Sequence, residues 1–431
     1  MKREDGRFLN AGPVRTKFAD GELRYLRVSG REVLRRVYFA VRDARWDTVP
    51  PNFEVAELVS GAGEFTVELR ARCVNEIADV AWNGRIEGRA DGSIALEVEW
   101  EPRAEFEYPR IGICVLYGAE ALAGRDFESV HPDGKRDHQS FPRFISPYQF
   151  AKGFTSLQVT TREQVGLTVA VPGAQMDMED QRNYGDSSYK AFVEGAALRR
   201  QRLDIAVDTS ATQVLKEAPP TPPIVIGGPA GVRLPRLTRT SRTSAEHEYT
   251  HYNRNRADYA DASRIEIPFN PAVHLDDDDT LMENIPAILD QAATIRSFAP
   301  NAALHAGPVL FDPPYPRSRR DPRNGTAFAT AWLGRFVKFA AHAGIVEAAI
   351  ALADGPWTAL HEELSSLAGR RLLEAGADPH AGVDVLAVDG HGAWVINNRA
   401  ATRQVTVRQR HGEQELVLAP YEVVPLSSTG G

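Results

Sequence analysis

Cysteine is nearly absent from this 431-residue chain: only Cys73 and Cys114 are present. Two thiols exclude a disulfide framework and a four-thiolate zinc site. One bridge between them is conceivable, but two buried, reduced thiols is the plainer expectation, because unpaired cysteine packs as a small apolar residue. No run of about 20 apolar residues occurs, which excludes a transmembrane helix. Positive charge is in deficit: 50 Lys and Arg stand against 58 Asp and Glu, for a net charge of −8. That balance argues against a partner recognised through a phosphate backbone, so neither nucleic acid nor membrane is expected as a partner. The opening Met1-Lys2-Arg3-Glu4-Asp5-Gly6-Arg7 has no apolar segment after its charges, so no secretory signal is read there and a cytoplasmic location is expected. The Gly-x-Ser-x-Gly elbow, the phosphate-binding Gly-x-x-x-x-Gly-Lys loop and the His-Glu-x-x-His zinc motif are all missing.

What is present is ordinary for a globular protein, with 43% hydrophobic and 25% charged residues over a length of two or three domains. Residues 22–208 read as strands, within an N-terminal domain of 1–210. Leu23–Val28, Phe65–Ala71 and Ile94–Trp100 alternate apolar and polar side chains, which turns one face inward and one to water. Ser29-Gly30, Asn83-Gly84 and Asp91-Gly92-Ser93 read as hairpin turns between such runs. Many short antiparallel strands predict an N-terminal β-sandwich. The stretch 211–245, with Ala218-Pro219-Pro220-Thr221-Pro222-Pro223 and Gly227-Gly228-Pro229-Ala230-Gly231, reads as a linker without regular structure. Residues 246–378 alternate strands (Ile265–Phe269, Ala303–Leu310, Val346–Leu352) with helices (Leu281–Phe298, Ala327–Ala343, Leu360–Glu374). That alternation predicts parallel strands and covering helices, but only about four units where a closed barrel needs eight. The tail, 379–431, reads as a small β-domain. The expected fold class is therefore multidomain β and α/β: a β-sandwich, a truncated TIM-barrel-like α/β module and a small C-terminal β-domain.

Three polar clusters are candidates for chemistry. In Met176–Lys190, alternation places Asp177 and Glu179 on one face and Asp180 and Arg182 on the other. Carboxylates accept from hydroxyls and a guanidinium donates to them, so Glu179, Asp180, Arg182, Asn183, Asp186 and Lys190 could bind a polyol. They could equally form an ion-pair network. The loop His131-Pro132-Asp133-Gly134-Lys135-Arg136-Asp137-His138 carries two histidines and two aspartates, but its spacing fits no closed metal site and a solvated loop is the better expectation; no metal is assigned. The third cluster is Tyr249–Arg254 with Asn270–Asp276. Here His251 and His274 are candidate general bases, and Asn253, Arg254 and Asp276 candidate binders, if these runs lie at strand C-termini.

At these residues the chain resembles a known family. Met178-Glu179-Asp180-Gln181-Arg182-Asn183-Tyr184-Gly185-Asp186-Ser187-Ser188-Tyr189-Lys190 is similar to the Glu-Asp-Gln-Arg-Asn-Trp-x-Asp-Ala-Ser-Phe-Lys signature of the D-apionate lactonase family. Trp46-Asp47-Thr48-Val49-Pro50-Pro51, Phe141-Pro142-Arg143-Phe144-Ile145-Ser146-Pro147, Asn270-Pro271-Ala272-Val273-His274, Asp321-Pro322-Arg323 and Leu418–Val424 agree with it as well. The resemblance implies a β-sandwich, a TIM-like barrel and a small C-terminal β-domain. The activity it implies is hydrolysis of the sugar lactone D-apionolactone to D-apionate, in apiose breakdown. It also carries over Asn253, Arg254, His274 and Arg323. The chain departs from the pattern where Phe-Thr-Glu-Leu-Asn-Arg is expected: His251 stands in the place of that glutamate, and Ala349–Asp354 offers only Asp354. Family members are also longer, and the shortening falls at the stretch read as linker.

The leading expectation is thus a hydrolase, a sugar lactonase with His251, His274 and Glu179 as catalytic candidates. Asp180, Arg182, Asn183, Asp186, Lys190, Asn253, Arg254 and Arg323 are its substrate-binding candidates. The reaction runs downhill in water, so no cofactor is expected. A non-catalytic carbohydrate-binding or regulatory relative is the alternative, and a glycoside hydrolase, which needs two facing carboxylates, the third. An incomplete barrel leaves sheet edges that the sandwich, or a second copy in a homodimer, would cover.

Overall fold

A computed structural model of the chain describes residues 6–44, 48–103, 110–162, 164–194, 198–210, 222–272, 274–312, 320–376, 382–409 and 412–427. Trp46 and Asp47 of the resemblance, Val273, and most of the proline-rich part of the expected linker lie outside the described residues. The chain forms two compact units: Met1–Gln181 with Ser188–Pro219, and Arg182–Ser187 with Pro220–Gly431.

The first unit holds one eight-stranded and one nine-stranded sheet, antiparallel throughout. Phe65–Val74 shows why: every second side chain is buried, and the intervening ones face out. The inward residues of both sheets, among them Leu34, Val37, Leu69, Ile86 and Trp100, form one core. Two details differ from the sequence reading. Leu23–Val28 lies in a strand where the polar Glu22 and Arg24 are also buried, because Glu22 takes Arg24 at 2.5 Å and pairs with Arg36. Asn83-Gly84 is no turn but the middle of the strand Asp79–Gly88, where the bare Gly84 Cα makes room for the Trp82 ring. Asp91-Gly92-Ser93 does turn: Gly92 has φ +91 and the Asp91 carboxylate accepts from the Ser93 amide.

In the second unit, four strands form a parallel sheet: β1 (Arg236–Arg239), β2 (Arg264–Phe269), β3 (Ala303–Val309) and β4 (Glu347–Ile350). Their spatial order is β1–β4–β3–β2. In a closed (β/α)8 ring the last strand pairs with the first. This is the order obtained when such a ring keeps its first strand and its last three. The expected truncation is therefore present: β1 lies inside the stretch read as linker, which thus has regular structure, and the shortening falls after Arg239 within the same stretch. Gly227–Gly231 likewise belongs to a strand, Ile224–Arg233, paired with Arg371–Gly376 across two register shifts that accommodate Pro229.

Five helices accompany the parallel sheet: α1 (Tyr249–Arg254), α2 (Asp278–Glu283), α3 (Ala287–Phe298), α4 (Ala327–His342) and α5 (Trp357–Ser366). Leu281–Phe298, read as one helix, is broken before Pro286, which cannot donate within a helix. Leu360–Glu374, also read as one helix, stops before Gly369 (φ +79), and Arg371–Gly376 becomes a strand. That strand and Ile224–Arg233 join five others, including Val383–Val388 and Gly392–Asn397, in a seven-stranded sheet with its own core. Ile265, Ile267 and Phe269 of β2 point to the helices and are buried. The opposite face is polar: Arg236, Glu347, His305 and Glu266 lie side by side across β1, β4, β3 and β2. A closed barrel fills that layer with branched apolar side chains, so the open half-ring has a polar inner face instead.

Two predictions follow from burial. Burial depresses the pKa of His305, His342 and His361. A depressed histidine favours its neutral form in the fold, so its contribution is present above the unfolded value near 6.5 and lost as pH falls through it. Thermal denaturation should show Tm falling between pH 7.5 and 5.5, and His361→Phe should flatten that fall; a Tm independent of pH contradicts it. Burial also pushes the Cys73 thiol up to about 11. With Cys114 likewise buried and unbridged, a thiol reagent at pH 8 should label neither in the native protein and both after denaturation.

Candidate functional site

A cavity of about 290 Å³ opens at the C-terminal ends of β2 and β3, the end at which parallel α/β sheets bind ligands. Its floor is Pro268, Phe269 and Asn270 after β2, with Pro308, Leu310 and Asp312 from β3 and beyond. Thr243–Ala245 and Glu248–Thr250 form one wall, and Asn183, Tyr184, Gly185 and Gln291 the other. A larger groove, about 720 Å³, crosses the outer face of the nine-stranded sheet past Glu128, His138 and Gln158. Its Glu128 is already paired with Arg136, and the groove is lined by the exposed face of strands rather than by strand ends. The smaller cavity is the better candidate because polar groups converge on it.

The wall at Asn183–Gly185 is held by a short segment with many bonds. Arg182 is fully buried with Asp290 at 3.3 Å, and its carbonyl accepts from Gln291 Nε2 at 2.9 Å. Asn183 Oδ1 accepts from Asn253 Nδ2 at 2.8 Å, and Asn253 Oδ1 accepts from Arg256. Gly185 (φ +84) lets the chain turn directly above the Asn270 carbonyl, which a Cβ would crowd at 3.3 Å. Asp186 accepts from Asn284 Nδ2 at 2.7 Å and bonds His274 Nδ1 at 2.6 Å. The break at Pro286 leaves Asn284 at the end of α2, where its side chain also caps the Ser187 amide at 3.1 Å. His274 packs edge-on against the Tyr184 ring, 5.2 Å between centroids.

The remaining sequence candidates have other partners. Glu179, on the strand Gln175–Asp180 of the first unit, pairs with Lys190 Nζ at 2.7 Å and lies 3.6 Å from Arg110. Lys190 is buried, and burial lowers its pKa against the pull of Glu179. Asp180 is buried and accepts from the Ser146 amide. Arg182 is not on that strand but in a 3-10 turn after it. Tyr249–Arg254 is a short helix rather than a strand end. There His251 Nε2 meets the Tyr259 hydroxyl at 2.9 Å and its ring stacks on His247, while Arg254 is exposed. Arg323 binds Asp321, Asp278 and the Asp276 carbonyl; burial lowers its pKa, but the two carboxylates outweigh that and raise it. Asp354 is exposed and paired with Arg239. None of Glu179, Asp180, Arg182, Lys190, His251, Arg254 or Arg323 lines the cavity. In the other loop, His131 bridges the Gly153 carbonyl and Asp137, and among the described residues no three His, Cys, Asp or Glu are grouped to hold a metal.

Glu248 and Gln291 are among the cavity residues not singled out from the sequence. Glu248 stands at the N-cap of α1 with no capping bond from its side chain. Gln291 lies between Ile288 and Ile295 on the buried face of α3, and a glutamine at that helical spacing was the available signal.

Residues 1–214 match the D-apionate lactonase N-terminal domain, and residues 149–381 the D-apionate lactonase TIM barrel domain. A D-apionate lactonase of Brucella anthropi is 30% identical over 191 residues, which are 44% of this chain and 31% of that protein. The match thus spans about a third of the length of that relative. Solved structures that align include a galactose mutarotase-like protein from Lactobacillus casei (TM-score 0.32, 8% identity, 47% of this chain and 99% of that one). The α-galactosidase from Lactobacillus brevis also aligns (TM-score 0.30, 9% identity, 84% and 66%). No helix among the described residues is long and apolar enough to cross a membrane.

The Glu179–Lys190 contact gives a prediction. Removing one member of a buried pair strands the other charge, at about 3–5 kcal/mol. Glu179→Ala should lower stability by that order, and adding Lys190→Met should recover much of it in urea denaturation. A neutral Glu179→Ala would show that the pair is no structural element.

Proposed function

Because the chain belongs to the D-apionate lactonase family, we propose that its second unit hydrolyses a five-membered sugar lactone, D-apionolactone, to the open-chain acid. The observation that carries this is the cavity at the β2 and β3 ends, whose wall includes the Asn183–Gly185 part of the family signature. Glu248 is the base proposed here, since it lines the cavity and its carboxylate can take a proton from water. The water oxygen bonds to the lactone carbonyl carbon, and its proton passes to Glu248. The hydroxyls of Ser244 and Thr250, also in the wall, are the donors available to the oxyanion. Collapse then breaks the ring C–O bond, and the proton returns to the leaving alkoxide. Lactone and water are consumed and the hydroxy acid is formed, with nothing else required.

A second assignment of the base has its own support. A carboxylate on His274 Nδ1 is the arrangement that fixes an imidazole for proton transfer at its other nitrogen. His274, however, packs behind Tyr184 rather than lining the cavity. The pair is therefore proposed as support for Tyr184.

The test is acid release from five-membered sugar lactones, corrected for spontaneous opening. Glu248→Gln should lower kcat by about 10²–10⁴, and His274→Asn by roughly tenfold at most. An equal or larger loss in His274→Asn would move the base to the Asp186–His274 pair. Binding without any acid release would instead favour a non-catalytic sugar-binding relative.

A further inference from the structure

Gln291 has one end of its amide committed and the other not. Its side chain is 2% exposed. Nε2 donates to the carbonyl of the fully buried Arg182 at 2.9 Å, which fixes the amide's orientation. Oε1 is buried and has no hydrogen-bond partner among the described residues. A buried acceptor left unmade is costly, and the cost is removed by a donor that arrives with a ligand. Gln291 lines the cavity, so its amide borders the space that a ligand would fill.

The charges of the same cavity point in one direction. Among the described residues its wall has no Lys, Arg or His, while Glu248 and Asp312 both line it. Asp312 is bonded to Arg320, to Asn324 and to the Asp321 amide, so Glu248 is the carboxylate left facing a ligand. A site of this kind welcomes hydroxyl donors and disfavours a carboxylate, by like-charge repulsion and for want of a cation to pair it.

We infer that this cavity is specific for a neutral cyclic polyol, with Gln291 Oε1 accepting from a ring hydroxyl, and that it rejects the open-chain carboxylate. Gln291 is then the specificity-determining residue, and the charge created on ring opening helps to expel the product. The inference rests on reading this cavity as the lactone site. Its readout is binding, however, so a chain that binds as described without turnover fails only as a lactonase, and one that turns over without this selectivity fails only here.

The test is calorimetry or NMR titration of the full chain with three probes. These are 1,4-anhydroerythritol (a neutral five-membered cyclic diol), 3-hydroxytetrahydrofuran (the same ring with one hydroxyl) and erythronate (an open-chain carboxylate). The diol should bind at least about tenfold more tightly than erythronate and measurably more tightly than the mono-ol. Gln291→Met should weaken the diol about tenfold, the size of one lost hydrogen bond. Glu248→Gln should raise affinity for erythronate about threefold or more. Equal affinities of the wild-type chain for diol and erythronate, or for diol and mono-ol, overturn the inference whether or not the Gln291 variant folds. So do undetectable diol binding and an unchanged diol affinity in a Gln291→Met protein with native Tm.

Discussion

A charged guanidinium can be fully buried only if its surroundings are built for it, and Arg182 is fully buried. Asp290 pairs with it, and its own carbonyl holds Gln291. Of the five residues that follow, Asn183, Asp186 and Ser187 are then pinned by Asn253, His274 and Asn284. This order gives the cavity wall at Asn183, Tyr184 and Gly185 a fixed shape. Without it, the ends of β2 and β3 would carry polar side chains with nothing opposite them.

The half-ring beneath is a compromise between topology and solvent. Parallel sheets normally bury both faces. Here only the helix side is apolar, through residues such as Ile267, Leu304 and Ala348. The other face has Glu266 with Arg242 at 2.7 Å, and Arg236 near Glu347 at 4.0 Å. Such exposed pairs contribute little to stability, but they make the face tolerable in water. The shortened barrel therefore keeps a cavity at its strand C-termini while its inner face is polar.

Much of this was legible in the sequence, for physical reasons. Phe65–Ala71 and Val383–Val388 read correctly as strands because alternation or a short apolar run leaves few other options. Strand–helix alternation showed the truncated α/β module. What failed was local punctuation: Gly84, Pro229 and Gly227-Gly228 look like breakers yet sit in strands where neighbours accept them. The site was legible only in part. Charge density drew notice to Glu179 and Lys190, which satisfy each other. Asn183 and Asp186 sit in or beside the wall, whereas Glu248 and Gln291 needed the fold to bring them together. A sequence shows that charges are close along the chain; it does not show which of them are already spoken for.

The most direct measurement is a crystal structure of the full chain soaked with a non-hydrolysable five-membered cyclic polyol. Density for the ring among Asn270, Glu248 and Gln291, with one hydroxyl within hydrogen-bond distance of Gln291 Oε1, is the expected result. A ring bound elsewhere, with ordered water alone filling that cavity, would contradict it.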